Sequence, residues 1–123
     1  MKLSQFLLKE ELAWISALFS FDLNEIEVVV QDIDGPGVIL GQFKLSNKNT
    51  IYLDAQDLQS MLRGDILETV IHELKHAEQY RRGFFYRFKM RCWNAWASFF
   101  GGTPPHEQEA YDFAAMAVTT RIV

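Results

Sequence analysis

The chain is poor in the residues that staple or punctuate a fold. Its 123 residues include one cysteine, three prolines and seven glycines. A lone cysteine, Cys92, excludes an intrachain disulfide framework. Nothing near it in sequence would activate its thiol, so it reads as a half-buried core residue rather than a nucleophile or metal ligand. There are no repeats, low-complexity tracts, phosphate-binding glycine loops or Ser-His-Asp arrangements. Positive charge is not in excess: 12 Lys and Arg stand against 16 Asp and Glu, a net charge of −4. That balance carries no general nucleic-acid signal. No apolar run approaches the ~20 residues that span a bilayer. Lys2 and Phe6-Leu7-Leu8 hint at a signal peptide, but Lys9-Glu10-Glu11 breaks the run and no clear small-residue cleavage site follows. A cytoplasmic location is therefore expected. What the chain does have is apolar bulk, 49% hydrophobic and 14% aromatic residues. That is enough for one core and a single domain over 1–123.

The informative motif is His72-Glu73-Leu74-Lys75-His76, an H-E-x-x-H pattern. Histidines four apart share a helix face about 6 Å apart along the axis, so both imidazoles can reach one zinc ion. Glu73, on the adjoining surface, is placed to act as a general base on a water. The spacing predicts a helix from Ile66 to Arg82. Asp65 is its expected N-cap with Glu68 as capping-box partner, Arg81 and Arg82 lie in its last turn, and Gly83 follows as C′. Ile66, Val70, Ile71 and Leu74 form its apolar face. A zinc site needs a third protein ligand. Gln79 and Arg82 exclude the extended metzincin pattern. A second helix, capped by Thr103 and carrying Ala110, Phe113, Ala114 and Ala117 as its stripe, offers His106, Glu107 and Glu109. Glu107 and Glu109 project ~200° apart, so only one can face a metal.

His72-Glu73-Leu74-Lys75-His76 followed some thirty residues later by Glu109-Ala110-Tyr111-Asp112 resembles the gluzincin clan of zinc metallopeptidases, above all its minimal members. The resemblance implies Zn²⁺ held by His72, His76 and Glu109, with Glu107 second and His106 third in preference to Glu109. It implies Glu73 as the general base of peptide-bond hydrolysis and a peptide or protein as substrate. Tyr80, Tyr86 and Arg87 are candidate oxyanion donors. Lys75 and Glu78 put charge where such enzymes usually carry none. Asp112 stands three residues after Glu109 instead of the four usual for a supporting aspartate.

The remaining elements fit the layout of a minimal zincin: an α+β fold in which helices flank a small, three-stranded, mostly antiparallel sheet. Leu3 to Phe19 reads as an amphipathic N-terminal helix with Phe6, Leu7, Leu8, Leu12, Ile15, Leu18 and Phe19 on its apolar side. Strands are expected over Glu27–Gln31, Val38–Leu45 and Thr50–Leu53, with turns at Asp34-Gly35-Pro36-Gly37 and Asn47-Lys48-Asn49. Asp54 should cap a short helix, Ala55 to Arg63. In such peptidases an edge strand pairs with extended substrate, a role open here to Ile51-Tyr52-Leu53 or its neighbour. Residues 81–93 interleave five cations with five aromatics. Phe85, Cys92, Trp96 and Phe99 fall at helical spacing and are expected to be core, with the cations outside. Read for function, the same segment could stack bases, lie on an anionic membrane, or give a non-catalytic zincin-like module its partner contact.

Overall fold

The computed structural model describes residues 1–32, 41–43 and 49–122. Among them, helices dominate: α1 (Leu3–Phe6), α2 (Lys9–Ser16), α3 (Ala55–Ser60), α4 (Arg63–Tyr80), α5 (Phe84–Phe100) and α6 (Pro105–Ile122). The strands are β1 (Glu27–Gln31), β2 (Gly41–Phe43) and β3 (Thr50–Asp54). No helix among the described residues is long and apolar enough to cross a membrane.

The expectation of an α+β fold with a mostly antiparallel three-stranded sheet is corrected. The protein is mostly helical, and its small sheet runs β1-β3-β2 with the longer pair, β1 and β3, parallel. Val28 pairs with Ile51 and Val30 with Leu53; only the three-residue β2 is antiparallel to β3. Apolar alternation reports which face of a strand is buried and says nothing of its neighbours or their direction. β3 is central, so Ile51-Tyr52-Leu53 is not an edge; on the far side of β1, residues 1–3 bridge to it through Lys2 and Glu27, and among the described residues β2 is the outermost strand on the other side. The central place of β3 matches its near-continuous burial, with Ile51 and Leu53 fully covered. Of the expected second strand only Gly41–Phe43 is described as strand. Its remaining residues, the 34–37 turn and residues 47–48 lie outside the described residues.

The long N-terminal helix is two. Leu7 and Leu8 separate α1 from α2 because Glu11 turns back to accept the Leu8 N–H at 2.9 Å, a cap that starts a new helix. The same buried carboxylate takes the Arg63 guanidinium, through Nε at 2.8 Å and through NH2. That pair draws Arg63 into the first turn of α4, which begins three residues before the expected start. Leu62, not Asp65, is its N-cap, and Asp65 lies in the first turn. Asp54 does cap α3, accepting the Asp57 N–H at 3.1 Å, but α3 stops at Ser60. Helix α4 ends at Tyr80, so Arg81 and Arg82 lie past its last turn. Gly83 becomes the N-cap of α5, with φ of 112°, a conformation that disfavours any side chain.

The core forms where α4 crosses the sheet and α6. Ile66, Val70, Ile71 and Leu74 are buried, together with Ile15, Ile26, Val28, Ile51 and Leu53. Ala110, Ala114 and Ala117 are buried as expected, and α6 makes the most extensive contact with α4 of any element. Small side chains there let the two backbones approach closely, which fixes what α6 can present to the motif.

Candidate metal centre

Helix α4 carries His72 and His76 on its α6 side, and both are buried. Their Nε2 atoms lie 3.2 Å apart. Helix α6 begins at Pro105, not after a Thr103 cap, and its first turn delivers Glu107 to the same point. Glu107 Oε1 lies against His76 Nε2 and 3.7 Å from His72 Nε2. One ligand atom from each of the three residues falls within 4.8 Å of the other two.

The placement reverses the preference between the two glutamates. Glu109 does not reach the imidazoles; it accepts from Gln79 Nε2 at 2.7 Å and from Arg82 NH1 at 2.9 Å. His106, third in preference, is buried beside His76, its ring edge-on to that imidazole at 5.8 Å and stacked against Trp93 at 5.8 Å and 15°, but it adds no atom to the cluster of His72, His76 and Glu107. The two glutamates do point apart, but periodicity cannot set the rotation of α6 about its axis. The packing of its alanines sets that.

Gln79 is fully buried and was not among the expected site residues. Its Nε2 donates to the His106 carbonyl at 2.9 Å and to Glu109, so its Oε1 faces His76 Nδ1 at 2.8 Å. That orientation makes Nδ1 the protonated nitrogen of His76 and turns the Nε2 lone pair toward His72 and Glu107. The only sequence signal for Gln79 was its place one turn beyond His76. His72 Nδ1 is buried with no hydrogen-bond partner among the described residues.

Electrostatics follow from this crowding. Burial works against a charged Glu107, but hydrogen bonds from His72 and His76 outweigh it and hold the carboxyl well below its ordinary range. Burial likewise disfavours a charged His76, and Glu107 against Nε2 more than offsets it, raising the imidazole. Glu73 is nearly inaccessible and its Oε1 is 3.9 Å from His72 Nε2. Burial pushes it up to about 8; nearby His76 opposes the shift and Glu107 adds to it. Its Oε2 is buried with no hydrogen-bond partner among the described residues.

The donor set fits a divalent cation. Three lone-pair-bearing atoms, two imidazole nitrogens and a carboxylate oxygen, converge in a buried place. A single shared proton satisfies one pair of them at a time, whereas a metal ion satisfies all three. Two nitrogens and one oxygen suit zinc, with a fourth position left for a non-protein ligand.

The two charges that departed from the peptidase pattern cancel locally: Lys75 Nζ donates to Glu78 at 2.7 Å and sits 4.2 Å over the Phe113 ring. The expected oxyanion donors are engaged elsewhere. Arg87 donates to the Tyr80 carbonyl at 3.2 Å and stacks over the Tyr80 ring, and the Tyr86 hydroxyl accepts from Arg82 at 2.9 Å. The tyrosine beside the imidazoles is Tyr111, with its ring 4.3 Å from that of His72. Among the described residues, Asp112 accepts from Gln108 alone, on the surface. Comparison with protein-family models, curated proteins and solved structures finds no match to this chain.

Proposed function

We propose that the protein is a zinc-dependent peptidase of gluzincin type, with Glu107 in place of Glu109 as the third ligand. The reading rests on the convergence of His72, His76 and Glu107 beside a buried Glu73 carboxylate whose Oε2 has no hydrogen-bond partner among the described residues. When bound, zinc supplies Lewis acidity, polarising a carbonyl and easing ionisation of a water. A bound cation's positive charge would oppose the effect of burial and favour the ionised Glu73 carboxylate, whose Oε2 is then the atom placed to take a proton from a water and return it to a departing amine. Gln79 holds His76 with Nε2 bare, and Glu109, itself pinned by Arg82, holds Gln79. The buried walls of α4 and α6 limit water around Glu73, which strengthens each of these interactions. The substrate class is a peptide or protein, and the location is cytoplasmic, where an exposed thiol such as Cys92 stays reduced.

The test compares wild type, Glu73→Gln and a chelated control on a diverse peptide library. Glu73→Gln keeps the shape and the three ligands, so its zinc content stays at wild-type level. Its cleavage rate falls by ~10²–10⁴-fold. Cleavage that persists unchanged in Glu73→Gln refutes the role of Glu73. Protein that holds no transition metal after zinc loading and desalting refutes the whole reading. A non-catalytic module is the competing reading, favoured by the exposed aromatic face of α5. Its mark is a partner bound equally by wild type and Glu73→Gln and left intact by both.

A further inference from the structure

Phe85, Cys92, Trp96 and Phe99 were expected to be core; the structure leaves all four exposed. Of the 17 residues of α5, only Met90 is buried. Phe84, Phe85, Phe88, Trp96, Phe99 and Phe100 are 59–85% exposed, and Cys92 is exposed as well. At ~100° per residue these seven fall within a single arc of ~160°. The opposite side, Tyr86, Met90 and Trp93, holds α5 to the protein, Trp93 by stacking on His106. Six rings of about 150–250 Å² each, exposed to this degree, present roughly 600–1,000 Å² of contiguous apolar surface. A soluble monomer seldom leaves more than ~300–600 Å² in one patch.

Charge on this helix is segregated too. Helix α5 contains Arg87, Lys89 and Arg91 and no Asp or Glu, in a chain of net charge −4. Arg87 and Arg91 border one edge of the apolar arc and Lys89 lies near the other. Rings at the centre with cations at the margins match the boundary between acyl chains and anionic headgroups. We propose that α5 docks the protein onto an anionic lipid bilayer, lying in the plane of its surface.

The same features disfavour the other occupants. A second copy packed face to face would bring two acid-free, cationic helices together. A nucleic acid gains its affinity from the number of phosphates neutralised, and three cations on an acidic protein neutralise few. Binding to an acidic surface through a few cations and an apolar face is the regime in which lipid charge and buried rings act together.

Co-sedimentation with phosphatidylcholine vesicles, with and without roughly a third phosphatidylserine, tests the proposal. The full chain should pellet with the anionic vesicles and at least ~10-fold less with the neutral ones. Combined Phe85→Ser, Trp96→Ser and Phe99→Ser substitutions, all on exposed rings, should cut partitioning by ~10-fold or more with the far-ultraviolet circular dichroism unchanged. Lys89→Glu with Arg91→Glu should abolish the preference for phosphatidylserine. Bromolipid should quench tryptophan emission in wild type and much less in Trp96→Phe, a substitution that keeps the apolar face. The proposal is overturned if wild type ignores anionic vesicles, or if the triple variant binds them as wild type does. It is equally overturned if the serine substitutions dissociate a dimer, or release a bound oligonucleotide, without any vesicle binding by wild type.

Discussion

Glu107 and Glu109 stand two residues apart on one helix, and their removal should separate a ligand from a support. Structural zinc sites with four protein ligands bind with ~10–16 kcal/mol, or about 2.5–4 kcal/mol per ligand if shared evenly. Glu107→Ala should therefore weaken zinc binding by ~10²–10³-fold. Glu109 touches neither imidazole. It acts by holding Gln79, whose Oε1 fixes the His76 tautomer. Loss of such a support costs ~10–100-fold in metal affinity. Because Glu109 works through Gln79, the two losses should not add: Gln79→Ala with Glu109→Ala should bind zinc about as well as Gln79→Ala alone. The assay is competition against a chromophoric chelator, with apo-protein stability followed in parallel to remove folding effects. If Glu109→Ala releases the metal while Glu107→Ala keeps it, the assignment is refuted. Fully additive losses in the double variant refute the support role of Glu109.

Two further predictions concern the frame around the site. The Arg63 hydrogen bond outweighs burial and lowers the pKa of Glu11, so the pair stabilises the fold above the unfolded value near 4.5 and loses that contribution as pH falls through the lower folded value. Glu11→Gln should cost about 1–2 kcal/mol at neutral pH, toward the low end because Arg63 is 43% exposed, and should flatten the decline in urea midpoint at acid pH; an unchanged decline counts against the pair. Ile71→Ala, at a fully covered position between α4 and its neighbours, should cost ~2–5 kcal/mol by calorimetry, and a loss under ~1 kcal/mol would mean the core is packed differently from this description.

Much of this protein was decided within short stretches of chain. His72, Glu73 and His76 share a helix because a four-residue spacing is one turn, and no tertiary contact is needed to see it. The burial of Val70, Ile71 and Leu74, the alanine stripe of α6 and the Asp54 cap follow from the same local rules. The choice between Glu107 and Glu109 does not. It depends on the rotation of α6 about its axis, set when Ala110, Ala114 and Ala117 pack on α4. Gln79 gained its role only when α6 brought the His106 carbonyl and Glu109 across from it. The direction of β1 beside β3 depends on how the intervening chain crosses the sheet. Periodicity could show that α5 has an apolar face, but that face could have turned inward or outward. Met90, Tyr86 and Trp93 occupy the inward side, and that packing leaves the phenylalanines and Trp96 in solvent.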